Sequence, residues 1–157
     1  EKILAVDEEG PLWYRGLALN SESKESAHFE NLLATHRVNR IVIAHTTTDG
    51  TVIPRFNGRV ILIDVGLSKV YGGRQACLLI EGDEIFTLHR GKKLPLPTDS
   101  GVGLLNYLRQ AAALDPQPSP LLKMIAELEM KLKEQSQDSV YHLDIYRESD
   151  AAAYSGR

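Results

Sequence analysis

The run Arg40-Ile41-Val42-Ile43-Ala44-His45-Thr46-Thr47-Thr48 sets the tightest limit on how this chain can fold. Three consecutive β-branched or large apolar residues favour a strand. Continuous rather than alternating apolarity is the pattern of a strand buried on both faces, as in a parallel sheet. A buried strand over 40–45 is therefore expected. It stops at a histidine followed by three hydroxyl residues, and Asp49-Gly50 then turns the chain away. Ligands of open α/β sheets collect just beyond the carboxyl ends of strands. That makes His45 a candidate metal or phosphate contact, with a structural or surface histidine as the alternative.

The segments around this strand alternate. Residues 22–36 suit a helix, with Ser21 or Ser23 as cap and Phe29, Leu32, Leu33 and His36 along one side. His36 and Arg37 at its end complement the helix dipole. A short strand is expected at 51–53 and a longer one at 59–64, separated by the Asn57-Gly58 turn. A hairpin over 75–81 and 84–89 is expected around Gly82-Asp83. Cys77, the single cysteine, excludes an internal disulfide and reads as an inert buried thiol within the apolar run 76–80. Arg90, Lys92 and Lys93 read as a solvated turn.

The last third differs in kind. Leu104, Leu105, Leu108 and Ala112 are at helical spacing over 101–114. After the proline-rich stretch 115–120, Leu121, Ile125, Leu128 and Leu132 form a second stripe, with Ser119 as cap and Pro120 in the first turn. A helical hairpin covering the sheet is expected, with a dimerisation or substrate-gating arm as the alternative. Residues 151–157 read as a frayed tail.

At 157 residues and net charge −3 the chain has room for one domain and lacks the basic stripe of a nucleic-acid binder. No apolar stretch approaches the roughly 20 residues that span a bilayer. No nucleic-acid or membrane partner is therefore expected, and cytoplasm and periplasm stay undecided.

Three further segments carry a resemblance: Gly10-Pro11-Leu12-Trp13-Tyr14-Arg15-Gly16, the stretch from Gly58 to Ser68, and Tyr71-Gly72-Gly73. Taken with the His45 strand, in this order and spacing, they resemble the C-terminal half of the calcineurin-like metallophosphoesterases. The nearest likeness is to the bacterial branch related to the phosphoprotein phosphatases, called Shewanella-like, over roughly residues 8–95. That family's N-terminal metal motifs (Asp-x-His, Gly-Asp-x-x-Asp-Arg-Gly and Gly-Asn-His-Glu) do not occur here. The resemblance thus implies an α/β fold forming the C-terminal half of a double-sheet αββα sandwich over residues 1–98. A helical C-terminal extension over 99–157 would follow it.

It also implies a parent enzyme, a metal-dependent phosphatase acting on a phosphorylated substrate with two divalent ions, manganese, iron or zinc. This chain would be a fragment, inactive alone, whose partner is the missing N-terminal half of the catalytic domain. A homo-oligomer through the helical extension is the other expected association. His45 matches the family's last histidine ligand, although Ala44 and Thr47 stand where Gly-His-Thr-Pro has glycine and proline. The family places an arginine near the substrate phosphate where this chain has Arg15, and a guanidinium grips two phosphate oxygens at once. A surface arginine paired with Asp7, Glu8 or Glu9 is the alternative. Tyr71 matches a tyrosine able to donate to phosphate, or is structural. Asp64 reads better as a cap for Gly66 or Ser68 than as a ligand. Trp13 is expected in the core. His28, His36, His89 and His142 carry no assigned role. A non-catalytic binding module and one half of a split enzyme stay open beside the phosphatase.

Overall fold

The computed structural model describes Asp7, Gly10 and residues 12–137. The expectations for residues 138–157, including the tail, His142 and the end of the second domain, lie outside the described residues. The described residues form mixed α/β structure, with two three-stranded sheets and four α-helices. The elements are α1 (Gly16–Leu19), α2 (Glu22–His36), β1 (Ile41–Ile43), β2 (Ile53–Arg55), β3 (Val60–Leu62), β4 (Ala76–Glu81), β5 (Glu84–His89), β6 (Lys92–Pro95) and α3 (Val102–Leu114). Residues 122–137 form a further helix, α4. No helix among the described residues is long and apolar enough to cross a membrane.

The first sheet has the order β1-β3-β2, parallel between β1 and β3 and antiparallel between β3 and β2. Its centre is β3, all three residues of which are buried. Val60 and Leu62 face a core built from α1, α2, α3 and α4, while Ile61 faces a second cluster with Val52, Val65 and Ala76. This strand shows the two-sided burial that the Ile41–Ile43 run was expected to show. β1 is instead an edge strand, and Val42 is 44% exposed. Ile41 N–H donates to Arg59 O and Ile43 O accepts from Ile63 N–H. Parallel ladders alternate, so the amide and carbonyl of Val42 point to the open side. The opposite edge is β2, where Pro54 occupies the middle residue, a position that proline tolerates only where no ladder partner follows.

Local signals explain the helices. Ser21 Oγ accepts from Lys24 N–H at 3.4 Å and caps α2, which ends as Arg37 turns left-handed (φ 52°). Phe29 and Leu33 are buried, whereas His36 is exposed rather than on the inward side. Asp99 Oδ1 accepts from Gly101 N–H and Gly103 N–H at 3.0 and 2.9 Å, capping α3. Ser119 Oγ accepts from Leu121 N–H at 3.2 Å at the head of α4. Leu121 and Ile125 are buried, and Leu128 and Leu132 pack half-buried on the same core. That core takes residues from both sides of the boundary expected near residue 98.

The second sheet has the order β4-β5-β6 and is antiparallel throughout. Two expectations are corrected here. Cys77 is exposed, because the period-2 alternation of β4 sends Ala76 inward and Cys77 outward opposite Leu88. Lys92 and Lys93 belong to a strand rather than a solvated turn. The turn is Arg90-Gly91, both with positive φ as a tight hairpin requires. Lys93 pairs with Glu81 and sits 3.7 Å over the Phe86 ring, so its charge is carried on the sheet surface.

Candidate functional site

A cleft of about 840 Å³ opens between segment 12–18, α2 and the carboxyl end of β1. Leu12, Leu17, Ala18, Leu32 and Ile43 supply an apolar floor, and Tyr14, Arg15, His28, His45 and Thr46 supply the polar groups. Two of the three residues singled out in the sequence, Arg15 and His45, therefore share one cleft. Tyr71 does not line it. It ends the one-turn 3₁₀ helix Lys69–Tyr71 and is 64% exposed.

Arg15 precedes α1. One terminal nitrogen, Nη1, donates to the carbonyls of Leu12 and Tyr14, each at 3.2 Å, which folds the side chain onto its own loop. The guanidinium lies 6.0 Å from the Trp13 ring centre, within cation–π range. Trp13 itself is 52% exposed and is not a core residue. Tyr14 anchors the loop from below. Its hydroxyl donates to Glu25, which also accepts from Asn20 Nδ2 at 2.6 Å, and its ring meets His28 edge-on at 5.2 Å. The bonds from Asn20 and then Tyr14 hold the Glu25 carboxyl below the usual carboxylate range. Glu25 is thus committed to the scaffold.

His45 follows β1 in the left-handed region, with φ 68°. A non-glycine residue there is uncommon, and such conformations persist where the surroundings enforce them. Thr48 N–H donates to Asp64 O at 2.7 Å, and Thr48 Oγ1 donates to Thr51 O at 2.6 Å. Further along, Arg74 Nη1 donates to Asp49 O at 2.7 Å and crosses Gly50, where a Cβ would lie 2.6 Å from Arg74 Cδ. Asp64 Oδ1 accepts from Gly66 N–H at 3.2 Å, the capping role expected of it.

His28 was missed by sequence reasoning. It sits one helical turn before Leu32, which lines the same cleft, and that i, i+4 relation was the available signal. His89 was also passed over. It is 1% exposed, its Nε2 donates to Asp115 Oδ1 at 3.1 Å, and its Nδ1 lies 3.2 Å from Thr51 Oγ1.

Among the described residues no group of three or more His, Cys, Asp or Glu side chains is placed to hold a metal ion. Among the described lining residues there are imidazoles and no carboxylate, and Glu25 is taken by Tyr14 and Asn20. A two-cation centre needs several carboxylate and imidazole donors. The described donor set does not fit one.

No family model matches the chain. An uncharacterised protein of Schizosaccharomyces pombe is 39% identical over 92 residues, covering 56% of this chain. The chain spans only 28% of that relative's length. Two solved structures are similar: a cold-active protein-tyrosine phosphatase of a psychrophilic Shewanella species and a point mutant of a cold-active protein tyrosine phosphatase. Each matches with 29% identity and a TM-score of 0.49, over 59% of this chain and 27% of the other. The structural neighbours are phosphatases. At that TM-score the superposition itself carries no argument, and the functional reading rests on the cleft.

Proposed function

We propose that this chain supplies one wall of the phosphate site of a phosphatase of the calcineurin-like metallophosphoesterase type. The observation that carries the reading is that Arg15 and His45, singled out separately in the sequence, line the same cleft. A guanidinium binds two phosphate oxygens with parallel hydrogen bonds, and an imidazole is a metal ligand or a phosphate contact according to its neighbours. Among the described residues the cleft carries Arg15, His28 and His45 and no acidic side chain, which favours an anionic ligand. Its apolar floor gives a phosphate ester's organic part somewhere to lie.

The parent activity would draw its two divalent ions, manganese, iron or zinc, onto carboxylates from outside the described residues. Metal ions of that kind polarise phosphoryl oxygens and activate water when bound. Within this chain Arg15 orients the phosphate and His45 is the one residue offered as a ligand. Tyr71 would contribute only if its loop moved toward the cleft. The β1 edge supports the dependence on further polypeptide: a run as apolar as Ile41–Ile43, with no ladder partner for Val42 among the described residues, suits an added parallel strand. That strand would come from the rest of a longer chain or from a separate one. Residues 99–157 remain the proposed extension, and self-association through it the alternative use of the apolar stripe at 121–132.

Binding of inorganic phosphate, followed by calorimetry, tests the reading on the chain as it stands. Arg15→Ala is expected to abolish the binding, with Arg15→Lys recovering little of it. In the complete protein Arg15→Ala should lower turnover of a chromogenic phosphomonoester by roughly 10²-fold. Wild-type behaviour of the alanine variant in both assays would make Arg15 a loop-bracing residue, whereas a complete protein without turnover would leave the chain a binding module.

A further inference from the structure

The segment carrying His45 is tied into the protein by bonds that run deep. Thr48 grips Thr51 O through its hydroxyl, and Thr51, fully buried, turns its own hydroxyl to Tyr107 on α3 at 2.8 Å. The Tyr107 hydroxyl donates to Val52 O at 2.8 Å. Having spent its one hydrogen, it accepts from Thr51 and from Thr87 on β5, also at 2.8 Å. A phenol has one donor and room for two incoming hydrogens, so all its capacity is used. The two residues it holds, Thr51 and Val52, close the segment that starts at His45. From Thr51 the chain of contacts continues through His89 to Asp115, at the C-terminal cap of α3, which also accepts from Arg90 Nε at 2.8 Å and Ser119 Oγ at 2.8 Å.

The His45 segment has other anchors, Asp64 O from β3's exit and Arg74 on Asp49 O. Both come from the sheet side. Tyr107 is the tie from the helical extension, and it reaches the far end of the segment. A saturated buried hydroxyl is rigid, because every small movement weakens three bonds together.

We propose that Tyr107 is a positioning residue: through Thr51 and Thr48 it fixes the His45 segment, and so couples the helical extension to the mouth of the cleft. This rests on the reading of His45 as part of the phosphate site. The extension would then be more than a cover for the sheet. Loss or movement of α3 would reach the cleft without any residue of α3 touching the ligand.

The test uses the ring signals of histidines in labelled protein, with inorganic phosphate as the probe. Tyr107→Phe keeps the ring and its packing but removes the three bonds. Thr48→Val cuts the relay at its half-buried outer link and leaves the buried hydroxyls intact. Both are expected to shift the His45 ring signals, to leave those of His28 in place, and to weaken phosphate by roughly 3- to 30-fold. Thr87→Val removes the one Tyr107 partner that leads away from the cleft. It is expected to lower the melting temperature and leave the His45 signals at their wild-type positions. The proposal is overturned if Tyr107→Phe destabilises the protein with His45 signals unchanged, or if Thr87→Val moves them equally. If the wild type does not bind phosphate, or His45→Ala binds it as well, the phosphate reading falls, while the ring signals still decide whether Tyr107 positions the segment.

Discussion

The cleft rim and the polar cluster under α3 use the same kinds of side chain to opposite ends. At the cluster every group is spent: Tyr107 has three partners, His89 two, and Asp115 receives Arg90, Ser119 and His89. At the rim, His45 is exposed on a left-handed residue and Arg15 leans on backbone carbonyls. Buried polar groups hold a fold only when satisfied, and groups that meet a ligand must keep capacity in reserve. The same contrast separates the strands. β3 is enclosed on both faces, and among the described residues β1 leaves its ladder open at one side. Among the described residues one region is finished, its polar groups spent, and the other keeps its groups toward solvent.

Three measurements press on that contrast. The largest effect belongs to the finished side. Leu121 is fully buried at the head of α4, and Leu121→Ala should cost about 2–5 kcal/mol in denaturant unfolding. Leu128, half-buried further along, should cost less for the same change, with no change in molecular mass by light scattering. A fall in mass with Leu128→Ala would show instead that the outer stripe is a contact between copies.

Next comes alkali. Burial pushes the Tyr107 phenol up to about 12, against the Thr51 and Thr87 bonds that favour the ionised form. A group whose folded value lies above its unfolded value stabilises fully below the unfolded value, about 10 here, and loses that contribution as pH rises through the folded one. Stability should therefore fall between about pH 10 and 12, by an amount of order 2 kcal/mol, with one tyrosine ionising late in ultraviolet absorbance. Tyr107→Phe should remove both features. If all six tyrosines titrate together near pH 10 in folded protein, the cluster is not closed to water.

On the acid side the direction reverses at Asp115. Burial pushes its carboxyl up, but bonds from Arg90, Ser119 and His89 outweigh this and hold it below the usual carboxylate range. Its contribution is thus present above the ordinary carboxylate value and is lost only as pH falls beneath it.

The smallest effect, and the sharpest comparison, sets two histidines side by side. His89→Ala strips buried partners from Thr51 and Asp115 and should cost about 1–3 kcal/mol. His45→Gly should leave stability unchanged or raise it by about 0.5–1 kcal/mol, since glycine takes φ 68° without strain. Phosphate binding should vanish in the glycine variant alone. Equal melting temperatures for the two variants would erase the distinction between the regions.

Much of this was legible in the residues, and the failures have a common cause. α2, the β4–β5 hairpin and α3 were readable because cap, period and turn lie within a few residues of each other. The expected strand over 40–45 was real, but its burial was assigned from its own apolarity, and burial depends on what stands next to it. Cys77 went wrong because a run of apolar residues hides which of them the hairpin turns outward. Lys92 and Lys93 were read by charge when the Arg90-Gly91 turn decided their structure. In the cleft, His45 was visible as the end of a strand and Arg15 emerged from a family likeness. The role of His28, and the partnership of His89 with Asp115, required α2 and α3 to be folded first.

Pro54 has a further consequence. With no amide hydrogen at its middle residue, β2 offers no complete ladder to a newcomer, so the first sheet can be extended only past β1. Two copies joining strand to strand through β1 would use up both available seams and present proline-blocked sides to the solution. Such a pair is a closed object. Misassembly of this protein through that sheet should accordingly stop at dimers, visible as a discrete species in sizing experiments, instead of growing into filaments.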